Sequence, residues 1–172
     1  MTEEDGQKAL VPANYFLDQG YIYYADEPTV ISAVLGSCLS VCLYDRDKKV
    51  GGMNHFLFPE TNNHEESTAR YGNVATLALI RMFLERGSSK KNLTAHVIGG
   101  AHNSEISPEN IGRRNIAVAR KIIISHGIKI VSEDVGGAMG RKVAYNTSTN
   151  ELAVMKVEKL RKSDWHPYED KR

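Results

Sequence analysis

Short apolar segments, each ended by glycine, aspartate or proline, place the strongest constraint on how this chain can fold. They cluster in two stretches, residues 15–58 and residues 128–157. Segments of this length, rich in Val, Ile, Leu and aromatic residues, are typical of β-strands. The pattern predicts a strand or hairpin around Gly20 at residues 15–24, and a hairpin turn at residues 45–49.

Two helices are predicted between these groups of strands. Residues 71–85 carry apolar side chains at helical spacing before Gly87, and residues 110–126 do the same before Gly127. A further strand is predicted at residues 93–98. Because strands and helices do not alternate strictly, we expect an α+β layered fold, with helices covering a β core, rather than a doubly wound sheet.

Length, composition and charge limit the classes of protein to which this chain can belong. With 172 residues, 41% of them hydrophobic, the chain is expected to form one domain, with an ordered core at residues 13–157 and a charged tail at 158–172. A formal net charge of +1 gives no indication of nucleic-acid binding. No apolar run approaches the roughly 18 residues of a membrane span, and the polar N-terminus does not resemble a signal peptide. We therefore expect a cytoplasmic protein.

The two cysteines, Cys38 and Cys42, are predicted to be reduced thiols. Four residues along a strand span about 13 Å. A disulfide tolerates a Cα separation of only about 7 Å. Each thiol must therefore have a role of its own.

Cys38 is a candidate nucleophile because it follows Gly36 and Ser37 in a bend between two apolar segments. A side chain projects from a tight bend, and nearby backbone N–H groups can converge there on a developing oxyanion. The N–H groups around Gly36, Ser37 and Cys38 are the candidates for that site. Thiols accept acyl groups well once a base removes their proton.

His55 is the candidate base. It lies in a predicted strand joined by a short turn to the strand of Cys42, so it can approach Cys38. A third group should fix the imidazole tautomer. The hydroxyl of Ser32, six residues before Cys38, is the candidate for that role.

The same residues are also compatible with structural or metal-binding roles. A cysteine in an apolar segment is often a small buried hydrophobe, and a lone histidine is often a half-buried structural residue. A metal site would combine Cys38, Cys42 and His55 with a fourth ligand from His64, His96 or His102. The spacing does not fit the common zinc sites, so we expect no metal.

Several motifs in order resemble one known family. They are LGSC at residues 35–38, VCLYD at 41–45, GGMNHFLFP at 51–59, ARYG at 69–72, GGA at 99–101, NIGRRN at 110–115 and EDVGG at 133–137. Together they resemble the chemoreceptor glutamine deamidases of the CheD family. The resemblance extends from residue 15 to residue 157, which is most of the chain.

This resemblance implies roles for individual residues. Cys38 matches the family nucleophile and His55 the family base, while Ser32 stands where the family usually has a threonine that completes a triad. Arg70, Asn115 and Arg141 become candidates for substrate binding. The implied fold is a β-sandwich-like core flanked by helices, similar to toxin deamidases.

The resemblance also implies a function. The family converts selected glutamines on the cytoplasmic helices of methyl-accepting chemotaxis proteins to glutamate, through a cysteine thioester and without a cofactor. Some members bind a CheC-type phosphatase. The alternative is a non-catalytic adaptor that binds the chemoreceptor or such a phosphatase.

Overall fold

The computed structural model describes residues 11–165. Its strands are β1 (Ala13–Phe16), β2 (Tyr21–Tyr24), β3 (Thr29–Leu35), β4 (Leu39–Asp45), β5 (Val50–His55), β6 (Leu93–Gly99), β7 (Lys129–Val135), β8 (Gly140–Asn146) and β9 (Leu152–Val157). Its helices are α1 (Gly72–Glu85), α2 (Ile111–Ser125) and the short α3 (Lys162–Trp165). The two predicted long helices are confirmed to within one residue at each end.

The strands form two sheets. The four-stranded sheet has the order β1-β3-β8-β9, and the five-stranded sheet has the order β2-β5-β4-β6-β7. The hairpin predicted at residues 45–49 is confirmed, because β4 and β5 pair antiparallel around it. The Asp45 carboxylate accepts the backbone N–H groups of Asp47 and Lys48 there, which closes the turn.

The segment around Gly20 contains two strands that do not pair with each other. β1 pairs parallel to β3 in one sheet, whereas β2 pairs antiparallel to β5 in the other. Gly20 has a φ of 85°, which permits the bend between them. Leu17, just before the bend, is fully buried between the sheets. The chain therefore crosses from one sheet to the other here.

Two apolar layers hold the molecule together. One lies between the five-stranded sheet and helices α1 and α2, and includes Leu39, Val41 and Leu43 of β4. The other lies between the two sheets and includes Cys42 of the same strand, together with Cys38. Because successive strand side chains point to opposite faces, β4 serves both layers. The expected α+β layered fold is confirmed.

The charged tail predicted at residues 158–172 is partly described. Asp164 in α3 lies 2.6 Å from the Lys142 ammonium of β8, which places this part of the tail against the four-stranded sheet. The remainder, residues 166–172, and the first ten residues lie outside the described part. Within residues 11–165, no helix is both long enough and apolar enough to cross a membrane.

Candidate active site

Cys38 lies in the bend between β3 and β4, where the chain passes from one sheet to the other. The segment after β6 holds this bend. Gly100 donates its N–H to the Cys38 carbonyl at 2.8 Å, and Ala101 donates to the Gly36 carbonyl at 2.9 Å. Gly99 has a φ of 112°, and a Cβ there would overlap the Cys38 carbonyl oxygen. Only glycine allows the two segments to approach this closely.

The register of β4 and β5 brings His55 to the face that carries Cys38. Leu39 and Phe56 exchange two backbone hydrogen bonds of 3.0 Å, so Cys38 lies diagonally across from His55. Diagonal neighbours are about 7–8 Å apart at their Cα atoms, with closer side chains. Met53, two residues before His55, packs in the same layer between the sheets as Cys38. The thiol and the imidazole therefore lie on the same face of adjacent strands.

Burial keeps both groups neutral. The side chains of Cys38 and His55 are only 6% and 1% exposed. Burial raises the pKa of the Cys38 thiol to about 12, partly opposed by its own backbone N–H. Burial also lowers the pKa of His55 to about 4, partly opposed by the Leu17 carbonyl and the Asp18 charge. At neutral pH the site holds a thiol and a neutral imidazole.

The tautomer of His55 is set by the backbone of Leu17. The Nδ1 atom lies 3.0 Å from the Leu17 carbonyl oxygen. A carbonyl can only accept, so Nδ1 carries the proton. The Nε2 atom is buried and has no hydrogen-bond partner among the described residues. Its lone pair is therefore free to accept a proton, which is the requirement for a general base.

Leu17 is a site residue that sequence reasoning missed. Its contribution comes from the main chain, which every residue type provides, so no side-chain pattern indicates it. Its own N–H donates to the Ser32 carbonyl at 2.8 Å. That bond continues the parallel pairing of β1 with β3 and fixes the carbonyl that meets His55.

The structure does not bring the Ser32 hydroxyl to His55. In β3, Ile31 and Ala33 point into the layer between the sheets, so Ser32 points to the outer face. There it lines a cavity of about 550 Å³ together with Asp164. Ser32 reaches the site only through its backbone carbonyl, and Leu17 occupies the position expected of the hydroxyl.

Asn115 and Arg141 are not at the surface expected of substrate-binding residues. Asn115 is fully buried, and its amide donates to the carbonyls of Ser37 and Leu57. Arg141 is 2% exposed, and its guanidinium donates to Asp134 at 3.1 Å and to the Gly136 carbonyl at 2.9 Å. Both side chains donate hydrogen bonds within the protein and neither is exposed, so their placement gives no support to the substrate-binding role that the resemblance implies.

Arg70 is at the surface, and substrate binding there stays a prediction. Its backbone carbonyl accepts the N–H groups of Leu57 and Phe58, at 2.9 and 3.0 Å, directly after the strand of His55. Its guanidinium lies 5.9 Å from the centre of the Phe58 ring. An exposed guanidinium at this place could contact a substrate protein that binds near His55.

A cavity of about 570 Å³ adjoins the bend of Cys38. Gly36 and Ser37 form part of its wall, and Ala101, Glu109 and Leu160 form other parts. Ile106 at this cavity is 82% exposed. The backbone N–H of Ser37 donates to no acceptor among the described residues, and that of Cys38 to none other than its own thiol. Donors left free at such a bend are suited to an oxyanion.

Metal ligation is not indicated by the described residues. Within residues 11–165, no three His, Cys, Asp or Glu side chains are grouped so that they could hold a metal ion. His96, one of the ligands considered from the sequence, contacts Ser132 through one ring nitrogen and Asn150 through the other.

A comparison with protein-family models finds a match over the larger part of the chain. Residues 57–156 match the family model described as CheD, chemotactic sensory transduction. This range begins two residues after His55. Individual relatives align over a larger part of the chain.

Three curated relatives have similar lengths and names. The protein of Sulfurimonas denitrificans is 35% identical over 84% of this chain and 94% of its own length. That of Trichlorobacter lovleyi is 39% identical over 87% and 92%, and one from Anaeromyxobacter dehalogenans is 40% identical over 78% and 79%. The first two carry the name "Probable chemoreceptor glutamine deamidase CheD", and the third carries the same name followed by the number 1.

Proposed function

Because this chain belongs to the CheD family, we propose that it is a glutamine deamidase that converts glutamine side chains of chemoreceptors to glutamate. The observation that carries the proposal is the pairing of Cys38 with His55. The two side chains share one face of adjacent strands, and His55 keeps a buried Nε2 with no hydrogen-bond partner among the described residues. A nucleophile and a correctly protonated base are the two groups that amide hydrolysis by cysteine requires.

The first half of the reaction forms a thioester. His55 Nε2 takes the Cys38 proton as the sulfur attacks the carbonyl carbon of the glutamine side chain. The carbonyl oxygen becomes an oxyanion, which the N–H groups of Ser37 and Cys38 can stabilise. The imidazolium then gives its proton to the departing nitrogen, the C–N bond breaks, and ammonia leaves.

The second half restores the enzyme. A water molecule gives a proton to His55 Nε2 and attacks the thioester carbon. The C–S bond breaks, sulfur recovers its proton from the imidazolium, and glutamate is released. The Nδ1 proton stays with the Leu17 carbonyl throughout, because only Nε2 exchanges protons. These steps require no metal or organic cofactor.

The implied partners follow from the substrate. The reaction takes place in the cytoplasm, on the cytoplasmic helices of methyl-accepting chemotaxis proteins, and the cavity beside Ser37 with the exposed Ile106 suits such a helix. A CheC-type phosphatase remains a predicted second partner. The alternative, a non-catalytic adaptor, is not favoured, because an adaptor has no need of a buried histidine with a free Nε2.

Ammonia release from the purified cytoplasmic fragment of a cognate receptor tests the proposal. Wild type should release ammonia and shift the receptor mass by the exchange of an amide for a carboxyl group. Cys38→Ala should abolish both signals. Cys42→Ala is the matched control, since Cys42 lies in the same layer between the sheets. The imidazole opposite it, His96, has both ring nitrogens hydrogen-bonded, to Ser132 and Asn150. A folded Cys38→Ala protein that still released ammonia would refute the assignment, and binding without release by wild type would favour the adaptor.

A further inference from the structure

Three consecutive carbonyls of the Cys38 bend are each held by a different donor. The Gly36 carbonyl accepts from the Ala101 backbone, and the Cys38 carbonyl accepts from the Gly100 backbone. Between them, the Ser37 carbonyl accepts from the side-chain amide of Asn115 at 2.9 Å. The middle peptide of the bend is therefore oriented by a side chain.

The direction of that peptide decides where the Cys38 N–H points. In a planar trans peptide, the carbonyl of one residue and the N–H of the next point in opposite directions. Since the Ser37 carbonyl points to Asn115 on α2, the Cys38 N–H points away from α2. This N–H forms a hydrogen bond with the thiol of the same residue, which partly opposes the rise in the Cys38 pKa that burial causes. An N–H in this position is suited to the oxyanion that forms on a carbonyl group attacked by the sulfur.

The same amide also contacts the strand extension that follows the base. Asn115 donates a second hydrogen bond, of 3.0 Å, to the Leu57 carbonyl. In the register set by Leu39 and Phe56, Leu57 lies opposite Cys38. The Asn115 side chain thus joins the bend that carries Cys38 to the segment that follows His55.

The free-energy cost of burying Asn115 indicates that this residue does more than fill the core. Asn115 is fully buried, and its Oδ1 has no hydrogen-bond partner among the described residues. A buried polar atom without a partner costs about 1–3 kcal/mol. Asn is also a poor helix former, and its neighbours Ile116 and Ala119 belong to an apolar layer. An apolar side chain would suit that layer better, but it could not orient the Ser37 carbonyl.

We propose that Asn115 is a positioning residue: its amide fixes the Ser37–Cys38 peptide so that the Cys38 N–H meets the oxyanion of the reacting glutamine. This inference rests on the proposed deamidase function. Asn115 itself touches neither substrate nor sulfur; it acts through the peptide of the bend.

Two reactions of Cys38 separate this role from a structural one. Deamidation passes through an oxyanion, whereas alkylation by iodoacetamide displaces iodide from carbon and forms none. Asn115→Leu keeps the branched shape and the number of side-chain heavy atoms, and it removes both donated hydrogen bonds. We expect kcat for ammonia release to fall by about 100-fold, with KM within about threefold and the rate of Cys38 alkylation within about twofold of wild type.

Matched variants complete the test. Asn110→Ala removes the cap of the same helix, where the side chain accepts the Arg113 N–H at 2.9 Å, and it should leave kcat unchanged. His55→Ala should slow both alkylation and deamidation. If Asn115→Leu does not fold, Asn115→Ala, which adds no bulk and offers no donor, should give the same separation of rates.

Parallel loss of alkylation and deamidation in an Asn115 variant would overturn the inference, because a displaced thiol explains both. Unchanged kcat would overturn it as well. Either result leaves the deamidase function intact as long as wild type releases ammonia. If wild type releases none, the proposed function fails and this inference fails with it.

Discussion

The imidazole of His55 is anchored by the backbone carbonyl of Leu17, with 3.0 Å between Nδ1 and oxygen. Leu17 is in turn bonded through its N–H to the Ser32 carbonyl. The orientation of the base therefore depends on main-chain hydrogen bonds that join β3 to the chain after β1. Because the third group of this candidate triad is a main-chain carbonyl, the side chain of Leu17 can change without loss of the contact, provided that the strands keep their pairing.

Ser32→Ala is expected to leave deamidation within about twofold of wild type, because the hydroxyl points to the outer face of its sheet and the backbone carbonyl is kept. Initial rates of ammonia release over a range of receptor concentrations measure this. A loss of tenfold or more, about 1.4 kcal/mol in transition-state stabilisation, would mean that the hydroxyl does act on His55.

Acid should destabilise the protein through His55. Burial lowers the pKa of His55 from its ordinary value of 6.5 to about 4 in the folded state. Between these values the unfolded chain takes up a proton that the folded protein does not, so the free energy of unfolding falls as the pH drops through this window. It levels off below about pH 4.

Urea unfolding at pH 7 and pH 5 measures this effect. Between these pH values, the wild type should lose about 2 kcal/mol more than His55→Gln, which lacks the titrating group. Equal losses in the two proteins would show that other groups cause the acid sensitivity. The activity of the wild type should persist below pH 6, since the base stays unprotonated there.

Gly99→Ala should damage both stability and activity. The added Cβ would overlap the Cys38 carbonyl, and a φ of 112° is strained for alanine. We expect a loss of at least about 3 kcal/mol in unfolding free energy and of at least about tenfold in kcat. Thermal unfolding and ammonia release measure the two effects.

The matched control for this variant is Gly127→Ala, because Gly127 also has a positive φ, of 69°, yet a Cβ there would meet nothing within 4 Å. It should cost about 1 kcal/mol and leave kcat unchanged. If the two variants lost activity equally, the close approach of Gly99 to the Cys38 bend would not matter for catalysis.

The sequence predicts Cys38 and His55 as nucleophile and base for physical reasons. Acyl transfer needs a nucleophile and a base, few residue types supply them, and a tight hairpin between β4 and β5 forces the two segments together. The same reasoning could not find Leu17, since a main-chain carbonyl has no residue type. It also could not tell that β1 and β2 enter different sheets, because the local pattern around Gly20 suits a hairpin and a crossover equally.

Asn115 and Arg141 lie away from their expected surface positions for a related reason. Polar and charged residues are usually exposed, so their presence near functional motifs suggests contact with a substrate. Both are buried here, and each holds backbone carbonyls of the segments around the active site. Burial of this kind depends on long-range packing, which a linear pattern does not contain.

The neutral state of the buried Cys38 thiol also bears on how long the enzyme survives. Peroxides attack thiolates, so cysteine enzymes that keep their nucleophile ionised are oxidised readily while they wait for substrate. In this protein the sulfur is protonated and 6% exposed, and in the proposed mechanism it gives its proton to His55 only as it attacks a glutamine. The idle enzyme should therefore resist oxidative inactivation that would disable a more acidic cysteine, and its catalytic capacity should outlast periods of oxidative stress in the cell.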